Sequence, residues 1–97
     1  MRIISVATIK RFCEVHANAQ TALETWYRTA KAAEWNTLTD IKKDFNSVDY
    51  VGNKRYVFNI KGNDFRLVAK ILLGQKIIFI RFIGTHKEYD RIDCKTI

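Results

Sequence analysis

The chain has 97 residues and carries 17 Lys and Arg against 10 Asp and Glu, a formal net charge of +7. With 47% hydrophobic residues, including 2 Trp, 4 Tyr and 6 Phe, it can bury a core, which excludes a disordered basic tail; four Gly and no Pro exclude collagen-like and low-complexity classes. The length fits one domain over residues 1–97, and the charge points to a polyanion as partner, with RNA, DNA and an anionic membrane as the candidates.

Residues 2–6 are short and rich in Ile and Val, which predicts an opening strand. Ile9, Phe12, Cys13 and His16 then recur at intervals of three and four, and Ala19, Leu23, Trp26, Tyr27, Ala30 and Ala33 do the same over a longer span. Both patterns predict amphipathic helices that form a hairpin, with Asn18 capping the second. Thr39 is expected to cap one more helical turn over residues 40–44.

From Ser47 onward the period becomes two. Tyr56, Phe58 and Ile60 form one face of a strand, and Phe65, Leu67, Ala69, Ile71 and Leu73 one face of the next. Ile77, Phe79, Arg81 and Ile83 alternate with Ile78, Ile80 and Phe82 in a third. Gly52-Asn53, Gly62-Asn63 and Gly74-Gln75 punctuate these runs, and Gly and Asn tolerate the positive φ that tight hairpins demand. Three consecutive hairpin signals make a meander, and Thr85 can cap a short helical turn beyond the last strand. The expected class is α+β, with a helical hairpin packed on an antiparallel sheet.

Charge follows the same division. Residues 1–47 hold seven basic and five acidic side chains, net +2, and residues 48–97 hold ten and five, net +5. Between 53 and 81 there are seven basic residues and one acid, Asp64, net +6. The two lone cysteines, Cys13 and Cys94, have no ligand spacing around them, so neither a zinc site nor any other metal or cofactor is expected. The residues before 10 lack a leader-peptide pattern, no stretch reaches bilayer-spanning length, and the reading is a reduced cytoplasmic protein without a membrane role.

Two clusters could carry chemistry. Arg66 and Arg81 lie among bulky apolar residues on strands whose opposite side the helices should cover, and two such arginines suit a phosphate-facing floor, because the guanidinium fork matches a phosphate. Thr85-His86-Lys87-Glu88-Tyr89-Asp90 packs an imidazole, an ammonium, two carboxylates and a phenol into six residues. His86 is either an acid–base group or a surface histidine in a turn. His16, Trp26 and Trp35 read as core or partner-facing side chains. No Gly-rich phosphate loop, Ser/His/Asp spacing or carboxylate cluster for Mg²⁺ is present in the sequence, so phosphodiester chemistry here would be metal-free.

The run Tyr56-Val57-Phe58-Asn59-Ile60-Lys61-Gly62-Asn63-Asp64-Phe65-Arg66-Leu67-Val68 resembles the central hairpin of HigB toxins, in the RelE-like superfamily, and Phe79-Ile80-Arg81-Phe82-Ile83-Gly84-Thr85-His86-Lys87-Glu88-Tyr89-Asp90 resembles the segment that follows. The likeness spans essentially the whole chain. It implies the toxin of a type II toxin–antitoxin system that cleaves mRNA on the ribosome and inhibits translation. It further implies a helix-turn-helix, HigA-like antitoxin, with operator DNA reached only through the antitoxin complex. The family's chemistry needs no metal: the RNA's own 2′-hydroxyl attacks the adjacent phosphate. On this resemblance Arg66 stabilises the transition-state phosphate, with Arg81 as a second candidate or a structural residue. His86 acts as general base or acid, and Tyr89 is its partner or stacks on a base. Asn59, Lys61, Asn63 and Lys87 would contact RNA. Asn59 stands where some relatives carry a basic residue, and an amide cannot take a proton. The rivals are a non-catalytic RNA- or ribosome-binding module, which needs the basic sheet alone, and a DNA-binding regulator, for which no recognition-helix pattern is present.

Overall fold

The computed structural model describes residues 1–97. Strand β1 (Arg2–Ile4) leads into helix α1 (Val6–Val15), a single 3-10 turn (Ala17–Ala19) and helix α2 (Gln20–Ala32). Helix α3 (Leu38–Asp44) precedes the strands β2 (Asp49–Gly52), β3 (Arg55–Ile60), β4 (Phe65–Leu72) and β5 (Ile77–Thr85), and the one-turn helix α4 (His86–Tyr89) follows. The sheet order is β1-β5-β4-β3-β2. The last four strands are the expected antiparallel meander, but β1 pairs with β5 in parallel, through Ile3 opposite Ile78, so the sheet is mixed rather than wholly antiparallel. This is an α+β domain of the expected kind.

Helices α1, α2 and α3 cover one face of the sheet, and the one-turn α4 lies at the edge of the other. Ile9, Leu23, Trp26, Ala30 and Ile41 from the helices meet Phe58, Ile60, Phe65, Leu67, Ala69, Ile71, Ile78 and Ile80 from the strands in one core. Trp26, Trp35, Phe45 and Phe58 pack as an aromatic group, with Phe45 and Phe58 edge-to-face at 5.2 Å and Trp26 and Phe58 at 5.4 Å. The Trp35 indole N–H donates to Asp44 Oδ2 at 2.8 Å, which gives its polar end a partner in the fold. Both tryptophans are therefore core side chains, and neither is available to stack on a base. His16 stacks on Phe12 at 4.5 Å and meets Phe65 edge-on, as a packing histidine.

Local signals differ from the sequence reading at several places. Asn18 lies inside the 3-10 turn and makes no cap; α2 starts after Ala19 without a side-chain cap. Thr37, not Thr39, caps α3, in a reciprocal box with Asp40, whereas Thr85 caps α4 as expected, and Glu88 completes a second such box. The β2–β3 turn has positive φ at both Asn53 and Lys54, the geometry of a two-residue primed turn. In the β4–β5 turn the left-handed residue is Lys76 (φ 60°) rather than Gly74, and its ammonium donates to the Trp35 carbonyl at 2.8 Å, so Lys76 is a structural cation.

Two β-bulges set the face on which charged side chains emerge. In β5 the partners are Ile80 with Ala69 and Phe82 with Val68, leaving Arg81 unpaired and exposed. The alternation reverses there: Ile78 and Ile80 are buried before the bulge, and Ile83 packs on the core after it. In β2 the pairs are Gly52 with Arg55 and Tyr50 with Tyr56, so Val51 is the extra residue and Asp49 comes to lie opposite Val57.

A cleft on the open face of the sheet

The face of β3 and β4 turned away from the helices carries Val57 and Asn59 from one strand and Arg66 and Val68 from the other, because Val57 pairs with Val68 and Asn59 with Arg66. Over this face a cleft of about 400 Å³ is lined by Asn46, Ser47, Val48, Asp49, Val57, Asn59, Arg66 and Tyr89. A neighbouring depression of about 320 Å³ shares Asn46, Ser47, Val48 and Asn59 and adds Lys43 and Asp44, so the groove extends beyond the cleft. No three His, Cys, Asp or Glu side chains converge to hold a metal ion.

Arg66 is half-buried, and the hairpin turn beside it orients its guanidinium. Its Nη1 donates to the Asn63 carbonyl at 3.2 Å and the Phe65 carbonyl at 3.1 Å, and Nη2 reaches Asn63 Oδ1 at 3.5 Å. No carboxylate lies within ion-pair distance of it, so its charge is available to a ligand. Tyr89 closes the cleft from α4, and its hydroxyl donates to Cys94 Sγ at 3.6 Å. Its phenol is pushed up to about 12, first by burial and then by the Cys94 contact and the charge of Asp49, against a lowering by Arg66. A phenol so placed stays protonated at neutral pH and can donate.

The structure thus brings Asn59, Arg66 and Tyr89 to one cleft, and none of the other predicted residues lines it. His86 does not line the cleft; its ring is at the solvent surface, with the side chain 52% exposed, and Nδ1 lies 3.2 Å from Asp90 Oδ2 on the next turn. Lys87 is exposed on α4, and Lys61 is exposed in the β3–β4 turn at φ 52°. Asn63 holds Arg66 rather than presenting its amide to the cleft. Arg81 does not join Arg66 in a common floor: Arg66 pairs with Gly84, and the bulge at Arg81 lies three residues away, roughly 10 Å along the strand. Two participants were not read from the sequence. Asp49 stayed hidden because a simple two-residue hairpin register puts it opposite Phe58 on the core face, and only the bulge at Val51 turns it outward. Cys94, read as an idle thiol, is the acceptor behind Tyr89.

A second cavity, about 480 Å³, lies between α1 and α2 and contains Cys13. Burial, and after it Glu24, pushes the Cys13 thiol up, which favours its protonated form. Lys10, Glu14, Glu24, Tyr27 and Arg28 also line that cavity, so its carboxylates stand beside cations, whereas Arg66 on the sheet face has no acidic partner.

The fold and site define a small α+β domain with a guanidinium and a phenol facing one cleft on its sheet, and comparison with known proteins gives that domain a family. Residues 19–92 match the HigB toxin family, the RelE-like toxic component of a toxin-antitoxin system, and the chain belongs to that family. It is 32% identical over 94 residues to the mRNA interferase HigB of Escherichia coli O6:H1, covering 95% of this chain and 91% of that protein. It is likewise 32% identical over 93 residues to the mRNA interferase toxin HigB of Escherichia coli K12 and to the mRNA interferase HigB of Shigella flexneri, in each case over 93% of this chain and 88% of the relative.

Proposed function

We propose that the protein is an mRNA interferase, the toxin of a type II toxin–antitoxin pair, and that it cuts messenger RNA in the cleft formed by Arg66, Asn59 and Tyr89. The observation that carries the reading is Arg66 and Tyr89 facing one cleft, with the arginine free of any acidic partner and the phenol held protonated. Transesterification of RNA asks for charge stabilisation of a pentacovalent phosphorane and for a proton delivered to the leaving 5′-oxygen. Arg66 supplies the first, since its fork matches two phosphate oxygens. Tyr89 supplies the second, because an alkoxide leaving group is far more basic than even a phenol near 12. Asn59 donates an amide hydrogen bond to the phosphate or ribose and takes no proton. Lys61, Lys87 and Arg81 hold flanking phosphates. Lys43 does the same in the adjoining depression. His86 sits at the α4 surface, where its ring orients Asp90 and contacts RNA outside the cleft rather than the reacting atoms. The protein acts in the cytoplasm on message threaded through the ribosome, which orders the RNA before it meets so few catalytic groups. A HigA-like helix-turn-helix antitoxin neutralises it, and operator DNA is engaged only through that antitoxin.

The test is primer extension on a translated message after brief induction. Cuts are expected in the message with the native protein and absent with Arg66→Ala, whose single-turnover rate falls by about 10²–10³ or more. Growth arrest without any cleavage would overturn the nuclease reading in favour of a non-catalytic ribosome-binding module.

A further inference from the structure

The chemistry above lacks an acceptor for the 2′-hydroxyl proton. Asn59 is an amide, Arg66 is a permanent cation, and Tyr89 enters protonated. One carboxylate lines the cleft, that of Asp49. We infer that Asp49 is the general base of the cleavage reaction, an inference that rests on the nuclease reading and deepens it.

Asp49 opens the edge strand β2, and its position opposite Val57 puts it on the same open face as Asn59 and Arg66, one cross-strand row away. The side chain is exposed, no cation lies within 4 Å of its oxygens, and no donor in the fold hydrogen-bonds to it. It therefore has no structural duty of its own. Around it, Arg66 faces from β4 and Tyr89 from α4, with the Cys94 thiol behind the phenol, while Val57 and Asn59 on β3 and Asn46 and Ser47 in the preceding loop carry no charge. The charge of Asp49 acts on the Tyr89 phenol, which places carboxylate and phenol in one electrostatic environment. An acid in a groove meant for a polyanion weakens ground-state binding, so its presence there is accounted for by a use in the reaction itself.

The step balances. The Asp49 carboxylate takes the 2′-hydroxyl proton as the 2′-oxygen bonds to phosphorus. The bond from phosphorus to the 5′-oxygen breaks, and that oxygen takes the Tyr89 phenolic proton. The products are a 2′,3′-cyclic phosphate and a 5′-hydroxyl, and proton exchange with water returns Asp49 and Tyr89 to their starting forms. Arg66 remains charged throughout and faces the phosphorane.

The experiment compares native protein with Asp49→Asn and Asp49→Glu on ribosomes programmed with a defined message. It measures the single-turnover cleavage rate and, separately, binding to the same complex carrying a 2′-deoxy nucleotide at the cut site. Asn is isosteric at an exposed strand end, and an unchanged melting temperature confirms the fold. Asp49→Asn is expected to lose about 10²–10⁴ in rate with binding equal or tighter, and Asp49→Glu to recover part of the rate. Cleavage by Asp49→Asn at the native rate, or a loss confined to binding, overturns the assignment while leaving the nuclease reading in place. Retained cleavage with lost antitoxin capture does so too, and makes Asp49 an antitoxin contact. If the native protein itself cuts no message, the nuclease reading fails and this inference fails with it.

Discussion

The guanidinium of Arg66 is tethered before any substrate arrives. Three hydrogen bonds to Asn63 and Phe65 fix its direction, two of them to backbone carbonyls. Removing the Asn63 side chain deletes only the longest of the three, so Asn63→Ala should lower cleavage modestly, by less than about tenfold, whereas Arg66→Lys loses the planar fork and most of the activity. Tyr89→Phe is the sharper test at this scale. It keeps the ring and removes the proton, so the single-turnover rate should fall by about 10²–10⁴ while the fold is weakened by no more than about 1 kcal/mol, the worth of one hydrogen bond. A native rate in Tyr89→Phe would move the proton donor elsewhere. Arg66 and Tyr89 were legible from the sequence because a known family shares their motifs. The support each receives was not legible, since Asn63 read as a turn residue with an amide for RNA and Cys94 as a lone thiol.

At the scale of elements, helix capping and bulges decide what the strands present. The alternation of period two identified β3, β4 and β5, and the core faces of β3 and β4. It did not place Asp49 or Arg81, because a bulge inserts one residue and exchanges the two faces of the chain beyond it, and nothing in the local composition at Val51 or Arg81 announces this. Capping was half legible: Thr85 was read as the cap of α4, the cap of α3 was placed two residues late at Thr39, and the partners Glu88 and Asp40 were not read. Both boxes carry a pH signature. The Asn36 N–H holds the Asp40 carboxyl below its usual range, with further help from Thr37 and Lys43, and the Thr85 N–H does the same for Glu88, helped by the Thr85 hydroxyl, His16 and Arg91. A folded-state value below the unfolded one means that the fold favours the ionised carboxylate. This stabilisation is complete above the ordinary carboxylate range, near pH 4, and is lost as the pH falls through the lower folded values. The melting temperature should therefore decline steeply below about pH 4 and more gently in an Asp40→Asn, Glu88→Gln double variant. An identical acid slope in the two proteins would show that the boxes do not contribute. Because α4 carries Tyr89, Thr85→Ala should also loosen the cleft wall, at a cost of about 1 kcal/mol.

For the whole molecule the question is where +7 goes. Between 53 and 81 the sequence holds seven cations, and all of them read as a surface that attracts polyanions. The fold uses some internally. Arg55 is 8% exposed, donates through Nε to the Ile97 carbonyl at 3.0 Å and through Nη1 to the Asn53 carbonyl at 3.0 Å, and with the Asn53 amide on the Lys95 carbonyl it ties residues 95–97 across the end of β3. Lys76 closes a turn onto Trp35. Such partners come from distant segments and leave no mark on local sequence, so a count of cations overstates the charge offered to RNA. Two substitutions separate the kinds of cation. Lys61→Asn removes an exposed charge at a left-handed position that Asn accepts, so binding to single-stranded RNA should weaken and the slope of log affinity against log salt should shrink by about 0.7, with the rate of bound complex unchanged. Arg55→Met removes a buried cation with its hydrogen bonds, so stability should fall by about 2 kcal/mol while the salt slope stays as it was. If Arg55→Met flattens the slope as much as Lys61→Asn does, then Arg55 meets RNA directly and the segment over it must lift away when RNA binds.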